Sequence, residues 1–464
     1  MLLFSVQNFN MTQISTATAG HLIYRFLLTA LICLYGASFL RAQPCPQGGI
    51  TPEEYARRRV ALISMMDSTS ILVMRAPEAN SEFEQMNYRQ DPDFLYLTGV
   101  DAPGYTLLIV PGGLPVEGGR KQCFLFGASY YFLGMQNFSG DPFPHAGFTG
   151  KSDTVEEDTE FKKQFRQALN GVNKLYYSAP DLTFTNDWLN DKPFFLERDV
   201  HKALRTAVPG LKFDSPANMI AKLRQVKSSG EIDLIRRAIK ATGDGILSAI
   251  RKCRPGIWEY ELRAAIEYQM VSQGAEGVSF RSIIGAGKNS LSPHYMKNNC
   301  QALEGEVVVM DVGASYHGYA ADITRTIPVS GRFSKAQAEV YDVVLKVQEE
   351  LIRMVRPGIT TGEIDRKATE LIKKAGFGKY ILHGVTHPLG MDVHDVSASD
   401  TLVPGMVITI EPGIYIPEDD IRLAPAYHIM GIRIEDDILV TENGYEVLSA
   451  GIPKQAAAME RRTK

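Results

Sequence analysis

The sequence predicts an α/β (α+β) protein of two domains, with the second built from two related halves. Three observations carry that reading. At 464 residues the chain exceeds one ordinary domain. Short apolar runs of strand character alternate with capped amphipathic stretches. Matched segments also recur about a hundred positions apart in the C-terminal part. With 45% hydrophobic and 22% charged residues the chain can bury a sizeable core. A net charge of −4 leaves no basic excess to neutralise phosphates, which argues against nucleic acid as a partner.

Residues 1–42 read as a signal peptide. Phe26 to Leu40 is an apolar run of 15 residues that follows Arg25 and ends near Ala42-Gln43. It falls short of the roughly 20 residues that span a bilayer and matches the apolar centre of a secretory signal. Met11 offers a second start, and an uncleaved anchor is the competing reading. The expectation is export to the periplasm or extracellular space, with no membrane attachment in the mature form. A short segment, 43–50, then leads into an N-terminal mixed α/β domain, 51–215.

That domain opens with Thr51-Pro-Glu-Glu, in which Thr caps a helix, Pro takes the first turn and the acids suit the helix dipole. Ser70-Ile-Leu-Val-Met and Tyr105-Thr-Leu-Leu-Ile-Val read as strands. Gly112-Gly113 and Gly118-Gly119 read as turns. A boundary falls near Phe213-Asp-Ser-Pro, and the second domain spans 216–455, with 456–464 as a tail. Ser228-Ser-Gly-Glu231 matches a capping box. Ile232, Ile235, Ala238, Ile239, Ile246 and Ile250 follow with helical spacing.

The repeat organises what comes next. Arg254-Pro-Gly-Ile257 recurs as Arg356-Pro-Gly-Ile359, 102 positions later, and each precedes a second amphipathic helix. Gly305-Glu-Val-Val-Val-Met-Asp311 resembles Gly405-Met-Val-Ile-Thr-Ile-Glu411 at an offset of 100, and His294 and His394 share that offset. Four features in one order at nearly constant spacing indicate a duplicated α/β half. Such symmetry would bring Asp311 and Glu411 towards a shared centre.

Asp311 closes an apolar run, Asp322 enters one in Ala-Ala-Asp-Ile-Thr-Arg-Thr-Ile, Glu411 closes another, and Glu435 sits in Gly-Ile-Arg433-Ile-Glu-Asp. Taken singly, each acid reads more readily as a strand-end residue in solvent or an ion pair. Four together are a different matter. A carboxylate at a buried strand end is costly unless paired or bound to a cation, and clustered carboxylates repel unless cations lie between them. His383, His387 and His394 place three of the chain's nine histidines within twelve residues, beside glycines and a proline. A satisfied structural cluster is one reading. The other has one imidazole on a metal and the others handling substrate. Oxygen-rich ligation with one imidazole suits Mn²⁺, Co²⁺, Fe²⁺ or Zn²⁺, and two ions would acidify a shared water for hydrolysis. The five cysteines (Cys33, Cys45, Cys123, Cys253 and Cys300) show no metal-type spacing and no assignable pairing. Cys300 lies close to the proposed site.

These residues, in this order, resemble the pita-bread metallopeptidases, which include aminopeptidase P, prolidase and methionine aminopeptidase. The resemblance covers about residues 51 to 455. It implies a creatinase/prolidase-like N-terminal domain and a catalytic pita-bread domain. It also implies two divalent ions per subunit, expected to be Mn²⁺. Asp322 and Glu435 would bridge the ions, Asp311 would complete one site, and His387 and Glu411 the other. The aminopeptidase P branch fits best. Tyr88-Arg-Gln-Asp-Pro-Asp-Phe-Leu-Tyr-Leu-Thr-Gly99, Asp311-Val-Gly-Ala-Ser-Tyr-His-Gly-Tyr-Ala-Ala-Asp322-Ile-Thr-Arg-Thr and Gly431-Ile-Arg-Ile-Glu-Asp-Asp437 are similar to its signatures. Pro388, where that branch often has an aromatic, and the segment 417–428 depart from it. The implied reaction removes the N-terminal residue from peptides with proline second, by attack of a metal-bridging hydroxide. Glu411 would serve as general base, His394 would steady the carbonyl oxygen, and His294 and His383 would face substrate. Arg433 would hold Asp322 from outside the ligand set. The resemblance also implies proline-containing peptides as partners and a homo-oligomer, dimer or tetramer. Prolidase activity on Xaa-Pro dipeptides is the nearest alternative; a non-catalytic pita-bread binding protein is a further one.

Overall fold

The computed structural model describes residues 49–77, 79, 87–116, 119–127, 153–178, 185–187, 192–194 and 204–460. The expected signal peptide, residues up to 48, and 461–464 of the tail lie outside the described residues.

The chain enters through α1 (Pro52–Met65), where Thr51 Oγ1 accepts from Glu54 N at 3.4 Å and acids fill the first turn, as the sequence predicts. There follow β1 (Ser70–Arg75), α2 (Pro92–Thr98), β2 (Thr106–Val116), β3 (Gly119–Gly127), β4 (Asp153–Glu157), α3 (Asp158–Ala168) and β5 (Lys174–Ser178). A small hairpin of β6 (Thr185–Asp187) and β7 (Lys192–Phe194) precedes β8 (Lys212–Asp214). One six-stranded sheet runs in the order β4-β3-β2-β1-β5-β8. Apolar clusters cover both of its faces. Ile71 and Val73 join Leu108, Phe124 and Leu175 on one side, while Leu72 and Met74 join Leu107, Ile109 and Leu125 on the other. Alternation into two dry faces is why Ile-Leu-Val-Met is apolar throughout.

One expectation fails here. Gly112-Gly113 lies inside β2, at a bulge that shifts the β2–β3 register between Ile109 and Leu114. Gly113 has φ 67°, which glycine adopts without strain, so the pair bends a continuing strand rather than reversing it. The turn expected at Gly118-Gly119 falls largely outside the described residues; Gly119 opens β3.

The C-terminal part begins with α4 (Ala217–Arg224) and α5 (Ser229–Lys252). The predicted capping box is present: Ser228 Oγ accepts from Glu231 N at 3.3 Å, and Glu231 Oε2 from Ser228 N at 2.9 Å. Then come α6 (Glu259–Ser272), β9 (Gly277–Val278), β10 (Ile283–Ala286), β11 (Val307–Val312), β12 (Ala314–Tyr316), β13 (Tyr319–Ala320) and β14 (Ile323–Pro328). The second half supplies α7 (Lys335–Met354), α8 (Thr361–Lys374), β15 (Val407–Ile410), β16 (Gly413–Ile416), β17 (Met430–Arg433), β18 (Asp436–Thr441) and β19 (Gly444–Val447), and α9 (Ala456–Met459) closes the chain.

The repeat has a structural basis. Gly256 N donates to Ala302 O and Ala302 N to Ile257 O, both at 2.8 Å. In the second half Gly358 N donates to Leu402 O at 2.9 Å and Leu402 N to Ile359 O at 2.8 Å. Isolated bridges Trp258–Gln301 and Thr360–Thr401 match as well. Each Arg-Pro-Gly-Ile turn thus hooks a helix pair onto the segment leading into an acid-bearing strand. β11 pairs antiparallel with β14, and β15 with β18. Asp311 lies at the end of β11 and Asp322 just before β14; Glu411 lies just after β15 and Glu435 just before β18.

Gly313 lets these ends meet, because a Cβ there would stand 1.7 Å from Ala321 O and 2.5 Å from Ser279 Oγ. Gly313→Ala should therefore cost about 2–4 kcal/mol of stability, somewhat above ordinary overpacking because backbone must move. Urea unfolding of the two proteins measures this, and an unchanged midpoint would contradict it.

Candidate metal centre

The strand ends place four acids and one imidazole together. His387 Nε2 lies 3.5 Å from Asp322 Oδ2 and 3.5 Å from Glu411 Oε1. Asp322, His387 and Glu435 each present a ligand atom, all within 4.8 Å of one another. β15 fixes the imidazole's backbone: Thr409 N donates to His387 O at 2.9 Å and His387 N to Thr409 Oγ1 at 3.2 Å. Asp322 N donates to Asp437 Oδ2 at 3.2 Å, and Thr324 Oγ1 donates to Glu435 Oε2 at 2.6 Å. Asp311, Asp322 and Glu435 are buried.

Asp311 Oδ1, Asp322 Oδ1 and Glu435 Oε1 are buried and have no hydrogen-bond partner. Buried acceptors are ordinarily paired, and three on adjoining carboxylates form a ready set of oxygen ligands. With His387 they suit a hard or borderline divalent cation. Electrostatics agrees. Burial, then Glu435 and Asp311, pushes the Asp322 carboxyl well above its usual range. Burial, then Glu411 and Asp311, does the same to Glu435. Glu411 is pushed up to about 8, chiefly by burial. Burial lowers His387 to about 4, leaving a neutral imidazole ready to ligate.

Arg433 departs from expectation. It holds Asp311, not Asp322: Nη2 donates to Asp311 Oδ2 at 2.6 Å, Nη1 to Tyr415 OH at 2.6 Å and Nε to Thr324 Oγ1 at 3.1 Å. β17 packs beside β11, so the guanidinium reaches the end of that strand, while Asp322 faces His387 and Asp437. Tyr415 is a residue the sequence analysis missed. Its OH also meets His383 Nε2 at 2.7 Å, linking that histidine to Arg433. Gly413 leaves space for it, since a Cβ there would lie 2.6 Å from the Tyr415 hydroxyl.

The other histidines surround the acids. His383 Nδ1 lies 3.7 Å from Glu411 Oε2, and burial lowers its pKa to about 4. The His394 ring stands against that of His387 with centroids 4.3 Å apart. His294 is exposed on the loop before β11, next to Pro293, whose carbonyl accepts from Arg433 Nη2 at 3.4 Å. Cys123 and Cys253 are buried, and Cys300 is exposed. Behind Glu435, the fully buried Arg325 donates to Glu435 O at 2.6 Å, Asp436 Oδ1 at 2.9 Å, Ile452 O at 3.0 Å and Pro453 O at 2.8 Å. Lys454 Nζ donates to Asp436 Oδ2 at 2.6 Å.

The model of metallopeptidase family M24 matches residues 233–442, and that of the aminopeptidase P N-terminal domain matches 55–176. The Xaa-Pro aminopeptidase of Escherichia coli (strain K12) is 34% identical over 445 residues, covering 89% of this chain and 97% of that protein. The chain belongs to metallopeptidase family M24. Within the family it falls with the Xaa-Pro aminopeptidases and has their fold, an aminopeptidase P N-terminal domain followed by a pita-bread domain. A structure of aminopeptidase P from E. coli with the inhibitor Pro-Leu superposes with a TM-score of 0.74 at 32% identity, covering 89% of this chain and 98% of that one. The Xaa-Pro dipeptidase of Pyrococcus furiosus is 38% identical, over 51% of this chain and 67% of its own length. Membership of M24 implies divalent metal ions, and the donor set fits them.

Without metal, Glu411 keeps its proton up to about 8 in the folded chain, whereas the unfolded chain releases it near pH 4.3. Between those values the folded form binds more protons, so this group's contribution to stability falls as pH rises. Added Mn²⁺ should therefore raise the melting temperature of chelator-stripped protein more at pH 8 than at pH 5.5. An equal or smaller shift at pH 8 would count against a proton-held apo centre. Lysine cannot serve Asp311, Tyr415 and Thr324 together. Arg433→Lys should weaken metal binding about 10–100-fold, read by chelator competition, and wild-type affinity would exclude an orienting role.

Proposed function

We propose that this chain is an exported, dinuclear Mn²⁺ aminopeptidase that removes the N-terminal residue from peptides with proline in second position. The observation that carries the proposal is the cluster of Asp311, Asp322, His387, Glu411 and Glu435, in a chain related along nearly its whole described length to an Xaa-Pro aminopeptidase. Asp322 and Glu435 would bridge two ions, with Asp311 on one and His387 and Glu411 on the other. When bound, the ions supply Lewis acidity and a water acidic enough to attack at neutral pH.

The rest of the chemistry falls to the chain's own groups. Glu411, between His387 and His383, takes the attacking water's proton and passes it to the departing nitrogen. An unprotonated amine anion is too basic to leave, so protonation must accompany departure. His394 donates to the carbonyl oxygen as charge develops there. His383, braced by Tyr415, and His294 contact the substrate backbone. Arg433 holds Asp311 in place. Export is supported by the apolar run from Phe26 to Leu40, and a homo-oligomer, dimer or tetramer, by the family resemblance.

Dipeptidase action is the second reading, favoured by the Pyrococcus furiosus relative. Metal-loaded protein incubated with Xaa-Pro dipeptides and Xaa-Pro-Yaa tripeptides separates the two. Release of free Xaa from the tripeptide, abolished by chelator, is the expected result; turnover confined to dipeptides would overturn it. Glu411→Gln and His387→Ala should each lower kcat by 10³-fold or more, on the order of a lost essential base or ligand. Bound metal should fall in the second variant. Near-wild-type turnover in either would refute the assignments.

A further inference from the structure

A closed set of charges joins the N-terminal part to the loop that follows His387. Arg224, at the end of α4, sits at its centre with its side chain 3% exposed. Nη1 donates to Asp93 Oδ1 at 2.5 Å. Nη2 donates to Asp392 Oδ2 at 2.9 Å and to Asp395 Oδ1. Lys227 Nζ, 2.9 Å from Asp395 Oδ2, supplies a second buried cation. Arg89 approaches Asp392 at 3.5 Å from the solvent side. Three acids thus face three cations. Asp93 and Arg89 belong to the Tyr88–Gly99 segment singled out in the sequence.

The two histidines of this loop are anchored differently. His387 is held by β15 through Thr409, and Pro388 bridges Ile408. The turn carrying His394 folds back on itself, with Asp395 N donating to Pro388 O at 3.0 Å and Gly390 N to Asp392 O at 3.1 Å. Its side-chain anchors are the carboxylates of Asp392 and Asp395. There is no slack around them, since a Cβ on Gly390 would lie 2.2 Å from Asp395 Oδ2 and 2.9 Å from Lys227 Cε. The network therefore ends on the residue beside His394 and leaves the metal ligands to the strands.

We propose that Arg224 is a positioning residue for His394, acting through Asp392 and Asp395, and that Asp93 makes the N-terminal part a working component of the site. The proposal rests on reading His394 as a substrate-side histidine. A planar guanidinium serves three carboxylates in fixed directions; an ammonium on a flexible stem does not. Displacing a catalytic group by about 1 Å can cost on the order of 10²-fold in rate.

The test uses the full chain loaded with Mn²⁺. Bound metal, kcat and KM on an Xaa-Pro-Yaa tripeptide are measured for Arg224→Lys, Asp93→Asn, His394→Ala and the Arg224→Lys/His394→Ala double variant. Arg224→Lys should lower kcat about 10–100-fold, with KM within about threefold and metal content unchanged. Asp93→Asn should show a smaller loss of the same kind. In the His394→Ala background Arg224→Lys should cost nothing more, because the group it positions is gone. If His394→Ala loses kcat and the two losses multiply, the reading of His394 stands and the positioning role falls. Wild-type kcat in Arg224→Lys, or loss of metal from it, overturns the proposal as well. If His394→Ala keeps wild-type kcat, the reading of His394 fails and takes the proposal with it. Should Arg224→Lys not fold, Asp392→Asn, at a partly exposed carboxylate, reads the same coupling in the same cycle.

Discussion

Mutual repulsion among Asp311, Asp322, Glu411 and Glu435 is the constraint from which the C-terminal architecture follows. Arg433 offsets Asp311 directly, yet Asp322 and Glu435 each keep a buried oxygen without a partner. Isolated in apolar surroundings, such groups would take up protons or draw in water. A divalent cation reverses that preference. Keeping them apart and aimed therefore requires a stiff frame. Strand ends, the Gly313 close approach and the hydrogen bonds from Thr324 and the Asp322 amide provide it.

Duplication is an economical way to make that frame. Each half contributes a helix pair, an Arg-Pro-Gly-Ile turn and an antiparallel strand pair with both of its acids at the same end. Brought face to face, two ordinary strand pairs generate a site neither holds alone. The halves then diverge in what they add. The first leaves Asp311 to be oriented by Arg433, which comes from the other half, and the second supplies His387 from a loop locked onto β15. That asymmetry leaves the two halves with different donors, oxygen alone in the first and an added imidazole in the second.

Much of this was legible from the chain because the informative signals are local. An apolar run stopped by an acid, a capping box and a recurring tetrapeptide are all visible within a few residues. Asp311, Asp322, Glu411 and Glu435 stood out for that reason, and so did the helix after Ser228, whereas the choice of His387 among three neighbouring histidines came only from the family resemblance. Partner choice was not legible. The resemblance put Arg433 beside the ligands, yet no local signal says that β17 lies beside β11, so Asp322 was expected where Asp311 is found. Tyr415 was missed because its role depends on space left by Gly413 and on His383, 32 positions away. The bulge at Gly112-Gly113 looked like a turn because glycine pairs serve both purposes, and only the neighbouring strand decides between them. The charges around Arg224 join residues 131 and 171 positions apart, a separation that no periodicity reports.

Arg325 ties the strand bearing Glu435 to the carbonyls of Ile452 and Pro453, and Lys454 reaches Asp436 from the same stretch. Without those three residues a buried guanidinium would lose two acceptors and a buried carboxylate one cation, directly behind Glu435. A stretch that carries no ligand thereby steadies the strand that follows one.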